Sequence, residues 1–333
     1  MRTVFVVGAG ASIEFKGNGS MPIGSQLAIQ IESLLDEDIH EQRMGGSGPI
    51  SRALMQHGGM VSLHVAAMMR IRQSIQSKNS VDDFINEWSD FPKLPEVAKL
   101  CIAECILRAE GNSLLANLNG DGYNDAAVLR TLRETWLGQL VRLINPNVPR
   151  RDVAGSLSGV AFVTFNYDRC IEMFLYSHFV STLALSQEQA IAALQSIPVH
   201  HVYGSLGKLG QIASNGVVFG AERSAGYASR DIKTYCEKIG SDQQKAIYDE
   251  IAKADRIVML GCAYHAQNLD LLFGSAPRIG KKVWGTAVNL PSRRVRAVEE
   301  YFGNAGADLA LTGSGCAEML TQWDEQIFDD DPV

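Results

Sequence analysis

Two periods of apolar spacing take turns along this chain. A continuous apolar run spans Val4 to Val7, and apolar-rich stretches recur in VAFVTFNYD, RIVMLGCAYH and KKVWGTAVNL, with DLALTGSG closing the unit. Runs of this kind predict strands covered on both faces, as in a parallel sheet. IPVHHVYG at 197–204 reads as one more strand, entering a Gly-Ser turn. Segments with three-and-four spacing fall between the runs. SQLAIQIESLLDEDI at 25–39 places Leu27, Ile31, Leu34 and Leu35 on one stripe. RCIEMFLYSHF, residues 231–254, NLDLLFGS, SRRVRAVEEYF and CAEMLTQWDEQIF carry helical spacing too. Strands alternating with helices predict an α/β fold with a doubly wound, Rossmann-like parallel sheet.

A breaker, GGSGP at 45–49, interrupts this alternation. From about 50 to 145 the pattern is mainly helical, with NSLLANLNGDGYND at 112–125 as a loop. This block reads as a helical subdomain inserted at 46–145. Residues 1–45 and 146–328 then form the sheet domain, and 329–333 an acidic tail.

Composition narrows the picture. Of 333 residues, 46% are hydrophobic and 20% charged, enough for an ordinary core. A net charge of -7 argues against a protein that coats nucleic acid. Arg150 with Arg151, Lys281 with Lys282, and the trio Arg293, Arg294 and Arg296 are local basic candidates, each weighed against a solvated helix end. The six cysteines include no C-x-x-C pair, so zinc is not expected. Free thiols fit a reducing cytoplasm. The apolar run of MRTVFVVGAGAS is too short for a secretory signal, and no run approaches a membrane span.

Candidate chemistry gathers at the predicted carboxyl ends of strands, where open α/β sheets bind ligands. Gly8-Ala9-Gly10-Ala11-Ser12 follows the first strand. Its backbone N–H groups suit a phosphate; the competing reading is a tight turn with no ligand. A third glycine and an acid ending a second strand, which hydride-transfer enzymes want, are missing. Thr164, Asn166 and Asp168 share one side if the chain stays extended; the competing reading has Asp168 capping the next helix. His201 and Tyr203 should likewise share a side of their strand, with His200 opposite.

These motifs carry a resemblance. GAGAS with Pro22 downstream, T-x-N-x-D, a strand reaching Gly-Ser, and IVMLGCAYHAQNLDLL resemble the sirtuin-like family. More narrowly, the chain is similar to bacterial sirtuin-like proteins of anti-phage defence, many of which hydrolyse NAD, and SVDDFINEW at 80–88 fits the helical part of that group. The resemblance implies that Gly8, Ala9, Gly10 and Ser12 cradle the NAD pyrophosphate, with Pro22 nearby. It implies that Asn166 is the catalytic asparagine, that Asp168 supports the ribose or the nicotinamide pocket, and that Thr164 belongs to the cofactor-binding set. Gly261 and Cys262 would hold the phosphate and adenosine side, and Asn289 would lie near the adenosine ribose. Gly204 and Ser205 complete the implied pocket. It also implies NAD as a substrate without metal, a homo-oligomer or a separate ATPase or nucleic-acid-guided subunit as the gate, and no membrane.

The chain departs from the family. The two zinc cysteine pairs of protein deacylases are absent, so deacylation is not expected. Tyr203 stands where the family has a histidine. Tyrosine is a poor base near neutrality and histidine a good one. His201 is therefore the candidate displaced base, against the alternative of a satisfied core histidine. The function expected is NAD hydrolysis to nicotinamide and ADP-ribose. The alternative is a subunit that holds NAD or ADP-ribose without turnover.

Overall fold

A computed structural model describes residues 2–328 except 57, 79, 119–125, 145–147, 150–151, 222, 235–236, 238–239 and 276. The acidic tail, Arg150, Arg151, Cys236 and residues 119–125 of the 112–125 loop lie outside the described residues. Six strands form one sheet: β1 Thr3–Val7, β2 Val160–Thr164, β3 Val199–His201, β4 Arg256–Leu260, β5 Lys282–Thr286 and β6 Asp308–Thr312. Their order is β3-β2-β1-β4-β5-β6, and every neighbouring pair is parallel. The fold is thus α/β and Rossmann-like, with the order reversing between β1 and β4. A crevice at such a reversal is where open α/β sheets take ligands.

Continuous apolar strands arise because helices cover both faces. In β1, Val4 and Val6 enter one core while Phe5 and Val7 enter the other. The helices Ser241–Lys253, Ala266–Phe273 and Ser292–Asn304 pack on the Val4 side. Cys170–Ser177, Gln187–Gln195 and Cys316–Gln322 pack on the Phe5 side.

Residues 46–145 close no core of their own. The helices Pro49–Gln56, Val65–Ser74, Val81–Glu87 and most of Leu94–Asn112 join the Val4 core. Leu115, Leu118 and the helices Ala126–Arg133 and Trp136–Leu143 join the Phe5 core. The block therefore contributes to the cores on both sides of the sheet. The helical spacing at the end of this block resolves into two helices, Ala126–Arg133 and Trp136–Leu143. Thr135 ends the first and caps the second, accepting a hydrogen bond from the Gly138 N–H at 3.4 Å. The Glu14 carboxylate accepts from the Trp136 N–H at 2.6 Å and from the Ala317 N–H at 3.0 Å, tying two helix starts to the first turn of the chain. No helix among the described residues is long and apolar enough to cross a membrane.

Candidate functional site at the carboxyl edge of the sheet

Val7, Thr164, His201 and Leu260 stand in register at the carboxyl ends of β1, β2, β3 and β4. The residues just beyond them therefore meet. Three glycines interlock first. The Gly8 N–H donates to Leu260 O at 2.9 Å, and the Gly10 N–H donates to Gly261 O at 3.1 Å. A Cβ on Gly8 would lie 2.5 Å from Gly261 O, and one on Gly261 would lie 2.0 Å from Ala11 N. Only glycine permits backbones this close. Both glycine N–H groups counted on to face a phosphate are therefore bonded to the end of β4. The tight-turn reading describes these two positions.

Ser12 is buried and reaches the next strand end. The Asn166 Nδ2 donates to Gly8 O at 3.2 Å and to Ser12 Oγ at 3.0 Å. Because Gly8 O can only accept, it fixes the amide's orientation. Asn166 Oδ1 makes no hydrogen bond to the described residues and is left to accept. The Thr164 hydroxyl accepts from the Asn166 N–H at 3.1 Å, so it shapes the loop. Asp168 Oδ1 accepts from the Cys170 N–H at 3.2 Å, an Asx-type contact ahead of the helix, whose N-cap is Arg169 and not Asp168. Burial raises the Asp168 pKa, with the Cys170 bonds, the Ser12 hydroxyl and His201 pulling the other way. Asn166 and Asp168 are each 7% exposed, so the cluster is nearly closed.

His201 does not offer a base. Its Nδ1 lies 2.9 Å from Asn166 O and its Nε2 lies 2.8 Å from Glu172 Oε1. Both partners are acceptors, so both ring nitrogens carry protons and no lone pair is free. Burial lowers the His201 pKa, but Glu172 and the Asn166 carbonyl outweigh it, and the net shift is upward. Burial raises Glu172 in turn; His201 reverses this, and the net shift is downward.

Tyr203 does not share a side with His201. β3 ends at His201, and the chain turns at once, with the Gly204 N–H donating to His201 O at 3.1 Å. Tyr203 swings onto the Val4 side, packs on Phe165 and donates to Asn268 Oδ1 at 2.7 Å. This bond spans from the β3 loop to the helix after β4. Period-two alternation failed here because the strand stops two residues early. Gly204 has φ +71, and a Cβ there would fall 1.8 Å from Asp231 O, so its glycine serves a backbone contact. Ser205 follows, half-buried.

The remaining candidates spread outward. The Gly261 N–H donates to Thr286 Oγ1 at 2.8 Å, and the Cys262 thiol turns back to Val6 O at 3.5 Å. Burial pushes that thiol up to about 12, so it stays protonated. Asn289 is exposed in a left-handed turn at φ +56 after β5. Three strand spacings, about 14 Å, separate β5 from the β2 end that carries Asn166. Pro22 is buried downstream of the first turn.

The supporting groups were harder to foresee. Arg169, next to Asp168, is 1% exposed and pairs with the fully buried Glu110. Glu110 accepts from Arg169 N at 3.0 Å, Nε at 3.1 Å and Nη2 at 2.6 Å, and from the Gly220 N–H at 3.0 Å. This ion pair anchors the Asn166–Asp168 loop to the helix Leu94–Asn112. Tyr167 donates to Asp82 Oδ1 at 3.0 Å, joining the same loop to the helix Val81–Glu87. The text CIAECILRAEG also holds Glu104 and Arg108, so nothing in the sequence singled out Glu110. Among the described residues no group of three or more His, Cys, Asp or Glu side chains is placed to hold a metal.

Comparison with protein-family models, curated proteins and solved structures finds no match to this chain.

Proposed function

We propose that the chain binds NAD at the β1/β4 reversal and hydrolyses the bond between nicotinamide and ribose. The observation that carries this reading is the Asn166 amide, oriented by Gly8 O and Ser12 beside Asp168 at the ligand edge of the sheet. In the proposed reaction the C–N bond breaks and neutral nicotinamide leaves with the electron pair. The ribose carbon becomes cationic, and water adds to it. Asn166 Oδ1 accepts from the water or a ribose hydroxyl and aligns it. Asp168 offers negative charge to the cation and takes the released proton, a role suited by its raised pKa. A cation of this type does not need a strong base to activate water, so the engaged His201 is compatible with turnover. His201 then serves as a positioning residue, holding the Asn166 carbonyl.

The nearly closed cluster fits an enzyme that opens on demand. A partner or a second copy that displaces the Tyr203–Asn268 contact would supply the gate, as the proposed role of a defence effector requires.

A second reading has its own support. With both His201 nitrogens and the Tyr203 hydroxyl engaged, the site also suits a subunit that holds NAD or ADP-ribose without turnover. Incubation with NAD, following nicotinamide and ADP-ribose by chromatography, separates the two. Release of both products, lost in Asn166→Ala, supports hydrolysis. Saturable ADP-ribose binding without product supports the holding role, and absence of both removes NAD from the site.

A further inference from the structure

A second site lies away from this edge, on the Phe5 side. The helices Ala126–Arg133 and Trp136–Leu143 and the end of Cys170–Ser177 enclose a cavity of about 340 Å³ that opens to the surface. Small-molecule sites occupy about 300–1,000 Å³. Leu129, Leu132, Val141 and Phe174 form apolar walls. Ser177 lies five residues past Glu172, about 7.5 Å along the helix axis, so this cavity is distinct from the Asn166 cluster.

Three features point to an occupant. Ser177 lines the cavity and is 2% exposed, yet its hydroxyl has no hydrogen-bond partner among the described residues. A buried hydroxyl without a partner is costly, and a polar atom of a bound molecule would relieve it. Next, the chain from His178 to Thr182 is a π turn rather than α-helix, and both residues line the cavity. Such turns cost regular hydrogen bonding and concentrate at functional sites. Finally, the cavity carries positive charge without a matching acid among the described residues. Among the described residues Arg133 has no acidic partner and Arg142 bonds only the neutral Gln139, its Nε at 3.2 Å from Oε1. His178 stacks on Phe174, with ring centroids 6.1 Å apart, and adds no charge. Burial, with Arg133 beside it, pushes its pKa down to about 4.

We propose that this cavity binds a small amphiphilic anion, an aliphatic carboxylate whose apolar body lies among Leu129, Leu132, Val141 and Phe174 and whose carboxylate meets Arg133 and Arg142. An apolar enclosure favours the chain, and guanidinium favours the carboxylate, which it can bind through two parallel hydrogen bonds. The volume is about eleven times the ~30 Å³ share of one water molecule, which suits a body of about ten heavy atoms. This site does not depend on the NAD reading.

Isothermal titration of the full chain with decanoate, below its micelle concentration, tests the assignment. Decanol serves as the uncharged comparison. One saturable site is expected for decanoate, with decanol at least tenfold weaker. Leu129→Trp or Val141→Trp, each filling the cavity from a half-buried wall position, should abolish it while circular dichroism stays unchanged. Arg133→Glu with Arg142→Glu, both on the exposed rim, should weaken decanoate at least tenfold and leave decanol alone. No saturable binding, equal binding of decanol, or decanoate binding that survives both the tryptophan and the arginine changes would overturn the proposal.

Discussion

The Nε2 of His201 lies 2.8 Å from Oε1 of Glu172, and the opposite ring nitrogen lies 2.9 Å from a backbone carbonyl, so this histidine is a held cation. Its pKa is raised above the ordinary 6.5. Glu172→Gln removes the charge that opposes burial, so the His201 midpoint should drop below its wild-type value. The pair's sign follows from both shifts. The His201 contribution is full below 6.5 and is lost as pH rises through its raised folded value. The Glu172 contribution is full above 4.5 and is lost as pH falls through its lowered folded value. The pair thus stabilises the fold most between these limits. Histidine NMR titration of wild type and Glu172→Gln measures this; an unmoved His201 midpoint would contradict the pairing.

Asp82 should make the protein less stable as pH rises. Burial lifts its pKa from 3.8 to about 6, against the hydrogen bond from Tyr167. Between these values the folded chain holds a proton that the unfolded chain has lost, so stability falls across the window. A shift of about 2 units sets a ceiling near 3 kcal/mol for the cost above pH 6. Asn at position 82 can still accept from Tyr167. Asp82→Asn should therefore gain about 1–3 kcal/mol at pH 7.5 and almost nothing at pH 4. Denaturant melts at both pH values decide the matter, and an equal effect at the two would count against it.

Gly261→Ala should be far costlier than Gly274→Ala. Both glycines have positive φ, +62 and +79, and Gly274 with ψ 172 sits where glycine alone is at ease, so each alanine pays backbone strain of about 1–3 kcal/mol. Position 274 has open space, whereas a Cβ at 261 meets Ala11 N at 2.0 Å. Overpacking adds about 1–3 kcal/mol or more. Thermal melts should show a modest loss for Gly274→Ala and severe loss or failure to fold for Gly261→Ala; similar melting points would refute the interlock.

Glu110→Ala should cost about 3–5 kcal/mol, because it strands the Arg169 guanidinium in the core. The double change Glu110→Leu with Arg169→Met should recover much of that stability, while moving the loop that carries Asn166. Urea melts of the single and double variants check the energetics. A double variant no more stable than Glu110→Ala would mean that the pair does more than cancel charge.

The architecture was legible because fully covered strands announce themselves. TVFVV, VAFVT and RIVML each need two apolar faces, and alternation with helical spacing leaves few topologies. Asn166, Asp168 and Ser12 could be placed at one edge for the same reason, since each directly follows a strand. Side-chain direction past a strand end was not legible. The relation of Tyr203 to His201 depended on where β3 stopped, and Gly204 turns the chain because Asp231 O, distant in sequence, lies against it. Glu110 and Glu172 escaped because a buried acid is recognised by its partner, and those partners lie 59 and 29 residues away. The separation between 46–145 and the rest was read from a change in spacing, but packing follows the sheet's two faces.

That packing has a consequence for how the molecule comes apart. Since residues 46–145 complete both cores, excising them would uncover apolar side chains on both sides of the sheet. A trimmed protein retaining only the strands and their crossover helices would aggregate rather than yield a smaller working unit. Proteolysis should accordingly produce no stable fragment lacking this block, and heat should melt the whole molecule in a single step.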